Sequence, residues 1–165
     1  MSVPEKLPVP EYQIRAATEA DLPAVLQMEL ASFTSPHWTK DQFAQALGMA
    51  EHTFVRCFFL IAENANGLLG FAIGIAVLAG QQGFGEIQNI AVAEHVRQRG
   101  IGLALCSSLM ERFVQLNLTN VELEVRAGNH AAKNLYARLG FMPVGVRRDY
   151  YANPVEDGVL MSLKL

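Results

Sequence analysis

Val121–Phe141, VELEVRAGNHAAKNLYARLGF, changes its hydrophobic period partway along. From Val121 to Arg126 apolar and charged residues alternate. A strand with that period puts Glu122, Glu124 and Arg126 on one face and Val121, Leu123 and Val125 on the other. Beyond Asn129 the spacing becomes helical, with Ala132, Leu135, Tyr136 and Leu139 recurring at intervals of three and four. Asn129 stands where its side chain can cap the first turn. A half-apolar strand running directly into an amphipathic helix predicts an α/β arrangement.

Working outward, the same two periods account for the rest of the chain. Toward the C terminus, strands are expected around FMPVGVRRDYY and GVLMSLKL. On the N-terminal side, RGIGLALCSSLMERFVQLNL carries Leu105, Leu109, Phe113 and Leu116 at helical intervals, with Gly100 and Gly102 at its entrance. Before it, VRCFFLIAEN and LLGFAIGIAVLAG flank Asn66-Gly67 and predict an antiparallel hairpin, with FGEIQNIAV as its third strand. YQIRAAT reads as the first strand. TEADLPAVLQMELASF follows as a helix capped by Thr18, with Asp21 in its first turn and Leu22, Val25, Leu26 and residues 28 to 30 toward the core. Pro36 interrupts that pattern, and Thr39 caps a second helix in which Phe43 and Leu47 share a face. The order predicts a mixed, largely antiparallel sheet with helices on both faces. Residues 12–165 form a single domain, preceded over residues 1–11 by a flexible arm containing Pro4, Pro8 and Pro10.

Composition narrows the class. At 165 residues, 51% apolar and 18% charged, the chain has the material for one core of ordinary size. Its net charge of −3 disfavours a general nucleic-acid binder, and arginines cluster only in VRQRG and VGVRRDYY. Cys57 and Cys106 lie in apolar surroundings without ligand spacing, and Met1 is followed by no leader pattern, so buried thiols in a cytoplasmic protein are expected. No apolar run reaches membrane-spanning length, and His37, His52, His95 and His130 lack metal-ligand spacing.

Two segments carry chemistry. EHVRQRGIGLA places Arg97, Gln98 and Arg99 just before Gly100, Ile101 and Gly102 at a helix start, where free N–H groups and the positive end of the helix can receive a pyrophosphate. The segment is neither a Walker loop nor a dinucleotide fingerprint, and an unliganded cap accounts for it equally. The preceding strand brings Ile90 and Val92 near the same end, with main-chain groups available to an amide-bearing ligand. The acidic face of Glu122 and Glu124 is either a solvated face with cross-strand pairs or the wall of a cleft where an amine loses its proton. Tyr136 is either a core aromatic or a proton donor, and Asn129 either a cap or a cap that also meets a ligand.

Together these motifs resemble the Gcn5-related N-acetyltransferase superfamily over about residues 12–165. Within it, NIAVAEHVRQRGIG, LEVRAGNHAAKNLYARLGF and VRRDYYANPVEDGVLM look most like the bacterial ribosomal-protein-alanine acetyltransferases. The resemblance implies acetyl-CoA as donor, no metal, and as acceptor the N-terminal peptide of a protein, a small-subunit ribosomal protein beginning with alanine. It assigns the coenzyme to Ile90, Ala91 and Val92, to Arg97, Gln98, Arg99, Gly100, Ile101, Gly102 and Leu103, and to Asn129. It makes Glu124 the general base and Tyr136 the general acid, with Glu122, Tyr150, Tyr151, Glu156 and Asp157 on the acceptor side. Ala93-Glu94 departs from the Asp-Pro common after IAV, and the N-terminal arm is longer than usual. A small-molecule amine acceptor and a noncatalytic acyl-CoA module are the competing expectations.

Overall fold

The computed structural model describes residues 11–33, 36–49, 54–80 and 82–165, so all of the expected arm but Glu11 lies outside the described residues. Seven strands build one sheet: β1 (Gln13–Ala16), β2 (Val55–Asn64), β3 (Gly67–Val77), β4 (Phe84–Val92), β5 (Asn120–Arg126), β6 (Met142–Ala152) and β7 (Val155–Lys164). Their order is β1-β2-β3-β4-β5-β7-β6, antiparallel throughout except for β4 and β5. A parallel pair needs a crossover, and α3 (Ile101–Gln115) supplies it. The other helices are α1 (Leu22–Ala31), α2 (Lys40–Gly48) and α4 (His130–Arg138).

Capping sets where these helices begin. Thr39 Oγ1 accepts from the Gln42 N–H while Gln42 Oε1 accepts from the Thr39 N–H, so the expected Thr39 cap of α2 is realised as a full capping box. Asp21 accepts from the Thr18 N–H at 2.7 Å and from its hydroxyl at 3.1 Å, but the chain makes a 3-10 turn over Glu19–Asp21 before α1 begins. Asn129 Oδ1 accepts from the Ala132 N–H, so its cap role at α4 is realised.

The sheet separates two cores. On one face α1 and α2 bring Leu22, Val25, Phe43 and Ala46 onto Phe59, Ile61, Phe71, Ile73 and Ala91, a cluster that takes nothing from β5, β6 or β7. On the other, α3 and α4 cover Leu60, Ala72, Ile87, Val121, Leu123 and Val125, with Leu105, Leu109, Phe113 and Tyr136 against the strands. Phe113 sits so close to β3 and β4 that a Cβ on Gly74 would come within 2.9 Å of its ring, and one on Gly85 within 2.8 Å. One expectation for α1 is corrected. Leu30, expected toward the core, is 76% exposed, whereas Glu29 of the same run is fully buried between the helix and the sheet. The helical period allows either residue inside, and polar partners for Glu29 decide the rotation.

The irregularity that shapes the site is in β4. Asn89 pairs with Ile73 and Ile87 with Gly74, so Gln88 is an extra residue in the strand. A bulge of this kind bends its strand. Pairing of β4 with β5 covers only Gly85–Ile87 against Val121–Leu123. Beyond Ile87 the two strands part, and the edge of β4 that would face β5 keeps main-chain groups for another partner.

Candidate active site

A cavity of about 690 Å³ occupies the opening between β4 and β5. Its wall includes Asn89, Glu124, Arg126 and Tyr151, on the α1 side of the sheet, and Ile90, Val92, Leu135 and Tyr136, on the α3 side. The cavity therefore passes from one face of the sheet to the other. Val125 is buried in the α3-side core, so its neighbours Glu124 and Arg126 must point the opposite way. Glu124 and Tyr136 thus reach one space from opposite faces.

At one end of that space stands α3. Gly100 takes φ +85°, a left-handed conformation suited to glycine, and turns the chain into the helix so that the first N–H groups remain unpaired within it. Arg97, Gln98, Gly100, Ile101, Gly102 and Leu103 line the cavity there, as do Ile90, Ala91, Val92 and Asn129. Arg97 Nε donates to the Val92 carbonyl at 3.1 Å, tying the loop to the end of β4. Despite Ala93-Glu94, the link from β4 into this loop closes as a 3-10 turn over Glu94–Val96. Arg99 stands apart, lining a smaller hollow of about 240 Å³ with His95 and the β2–β3 turn. The donors and the open β4 edge suit a ligand with a phosphate at one end and amides along its length, so the residues present fit acetyl-CoA.

The expected acceptor-side residues separate. Tyr151 lines the cavity, and Arg126 lies 4.2 Å over its ring. Glu156 Oε1 accepts from the Gly128 N–H, and Asp157 accepts from the Asp149 N–H at 2.9 Å and pairs with Arg148 at 3.0 Å. Both carboxylates are engaged by their own chain. Glu122 is exposed and accepts from Asn120 Nδ2. The Tyr150 phenol has its pKa raised, first by the Glu124 carboxylate beside it.

Two charged neighbours of Glu124 come from other strands. Arg147 on β6 reaches across β7 to pair with Glu124 Oε1 at 3.0 Å. Glu86, opposite Glu122 in the parallel register, has its pKa raised by burial first and then by Glu124 and Glu122. The arginine cluster was visible in the sequence, but its target depends on β7 lying between β5 and β6. Tyr136 is buried, and desolvation lifts its phenol well above the ordinary range. Burial likewise pushes Cys57 up to about 11 and Cys106 up to about 12, so neither is a thiolate near neutral pH. Among the described residues no group of three His, Cys, Asp or Glu could hold a metal, and no helix is long and apolar enough to cross a membrane.

A sheet split beside a helix N terminus, with a carboxylate and a phenol lining the gap, suits an acyl-CoA-dependent transferase. The sequence profile of the Acetyltransferase (GNAT) family matches residues 22–141, and the chain belongs to that family as an acetyl-CoA-dependent acetyltransferase. It is 34% identical over 141 residues to the putative [ribosomal protein bS18]-alanine N-acetyltransferase of Bacillus subtilis, covering 86% of this chain and 87% of that one. It is 32% identical over 154 residues to the [ribosomal protein bS18]-alanine N-acetyltransferase of Escherichia coli K12, covering 92% and 97%. The crystal structure of the ribosomal-protein-S18-alanine N-acetyltransferase from Escherichia coli superposes with a TM-score of 0.74 at 26% identity, covering 93% of this chain and 94% of that one.

Proposed function

We propose that the protein transfers the acetyl group of acetyl-CoA to the N-terminal α-amino group of a protein, a small-subunit ribosomal protein beginning with alanine. The observation that carries the reading is the placement of Glu124 and Tyr136 on opposite sides of one cavity that also meets the N terminus of α3. The likeness to two bacterial acetyltransferases named for bS18 alanine supports the acceptor.

In this mechanism Glu124, held by Arg147, takes a proton from the entering ammonium, directly or through a water. A free α-amine has a pKa of about 7.7 to 8.0, so near neutrality the task is modest. The neutral amine attacks the acetyl carbon, and an N–H on the open edge of β4 steadies the developing oxyanion. The C–N bond forms, the C–S bond breaks and Tyr136 gives its proton to the departing sulfur, while the attacking nitrogen releases its second proton through water to the Tyr136 phenolate, leaving a neutral amide and a restored phenol. Burial keeps the phenol protonated beforehand. The same desolvation raises the proton affinity of a thiolate formed beside it, so donor and recipient stay matched. Direct transfer needs no acyl-enzyme, which agrees with the two buried cysteines.

The deciding experiment incubates the purified protein with acetyl-CoA and a panel of N-terminal peptides, then locates added acetyl groups by mass. Acetylation at the α-amine of an alanine-initiated peptide is the expected result. Robust transfer to spermidine with none to any peptide would sink the protein-acceptor reading in favour of a small amine, and no transfer at all would favour a binding module.

A further inference from the structure

Among the described residues, two buried side-chain atoms lack a hydrogen-bond partner, Asn89 Oδ1 and Arg126 Nε. Folded proteins seldom leave such atoms orphaned, because removal from water is costly without a replacement bond. Both residues line the cavity between β4 and β5. The last register pair of those strands is Ile87 with Leu123. Asn89 lies two residues beyond Ile87 and Arg126 three beyond Leu123, so they flank the opening from its two sides. They also share a face. Asn89 pairs in register with Ile73 of the α1-side core, and Arg126 points the same way as Glu124.

Each orphan is held in a fixed orientation. Asn89 Nδ2 donates to Glu29 Oε1 and Oε2, both at 3.2 Å, and Glu29 also accepts from the Trp38 N–H at 2.7 Å. With its donor end committed, the Asn89 amide can offer only Oδ1, turned away from Glu29. This gives the buried Glu29 a purpose. Arg126 stacks on Tyr151, and its Nη1 makes 3.4 Å contacts to the Pro154 carbonyl and to Glu156. None of these uses Nε.

One acceptor and one donor across the gap complement the backbone of a chain entering by its N terminus, whose first residue offers an amine N–H and a carbonyl oxygen. We propose that Asn89 Oδ1 accepts an N–H of the acceptor's α-amine and that Arg126 Nε–H donates to the carbonyl of the acceptor's first residue. An amine donating to Asn89 keeps its lone pair free for attack, and an amine without the carbonyl leaves Arg126 unpaired, which favours peptides over simple amines. The proposal rests on the polypeptide-acceptor reading and adds the atoms that grip its first residue.

The test measures acetyl transfer to an alanine-initiated hexapeptide and to a matched peptide whose first carbonyl is reduced to a methylene. With the wild-type protein, kcat/KM for the reduced peptide is expected to fall about tenfold. Arg126→Lys, which keeps the charge but lacks Nε–H, should lose about tenfold on the intact peptide and little more on the reduced one, with KM for acetyl-CoA unchanged. Asn89→Leu, of similar volume, should lose about tenfold or more on both peptides. Equal use of the two peptides by the wild-type protein, or an Arg126→Lys enzyme within about twofold of wild type on the intact peptide, would overturn this grip while leaving the acceptor class intact. Failure of the wild-type protein on both peptides would instead remove the polypeptide reading, and the grip with it.

Discussion

In the proposed mechanism, removing the Tyr136 hydroxyl takes away the proton offered to the leaving sulfur while leaving the buried ring in place. Tyr136→Phe should therefore lower kcat by about 10²-fold and leave KM for acetyl-CoA nearly unchanged, as steady-state kinetics will show. Glu124→Gln acts on the other partner, and its loss should be greatest at low pH, where the amine is most fully protonated. A pH-rate profile parallel to wild type would take Glu124 out of the base role. In the proposed grip, Glu29 acts only by holding Asn89. Glu29→Gln sets one amide donor against another in a site with no exposure, and should cost about 1–3 kcal/mol in urea denaturation. The alternation in VELEVR disclosed which face Glu124 occupies. It could not disclose Arg147, which arrives from β6 across an intervening strand.

At the scale of elements, local signals did most of the work. Thr39 with Gln42, Asn129 with Ala132, and Asn66-Gly67 each act within a few residues, so the chain carries them openly. The entry to α1 shows how a long-range partner adds to such a signal. Asp21 caps Thr18 and also pairs with Arg15 at 2.8 Å, and that guanidinium is the first cause holding the carboxyl at about 2, below its ordinary 3.8. The folded state then binds this proton more weakly than the unfolded one. The resulting stability is present above about pH 4 and is lost as pH falls through about 2. Discounted for the partly exposed Arg15, Asp21→Asn should cost about 1 kcal/mol at pH 7, a difference that shrinks toward zero in acid when both proteins are unfolded with urea across that range. Leu30 went outward and Glu29 inward because neighbours on β4 and in the α1–α2 connection, Asn89 and Trp38, supply the buried carboxylate's partners.

For the molecule as a whole, the two cores meet a sheet that is interrupted at its centre, and the cavity fills the interruption. A ligand held there by β4, α3 and α4 binds only the folded chain. Acetyl-CoA at about a hundred times its Kd should add about 2.7 kcal/mol and raise Tm by roughly 5–10 °C in a thermal melt. A melt unmoved by acetyl-CoA at that concentration would show that the folded chain does not bind it.

The amino-acid order alone determined the elements, their caps, the inward and outward faces of β5, and the glycine entrance to α3, because each depends on contacts a few residues apart. Only the tertiary structure decided that β7 lies between β5 and β6, that an extra residue at Gln88 coincides with the parting of β4 from β5, and that Glu29, Asn89 and Arg126 stand around the opening. Strand partnership and buried polar pairing join residues tens of positions apart, and no local period records which partner a strand or a carboxylate will meet.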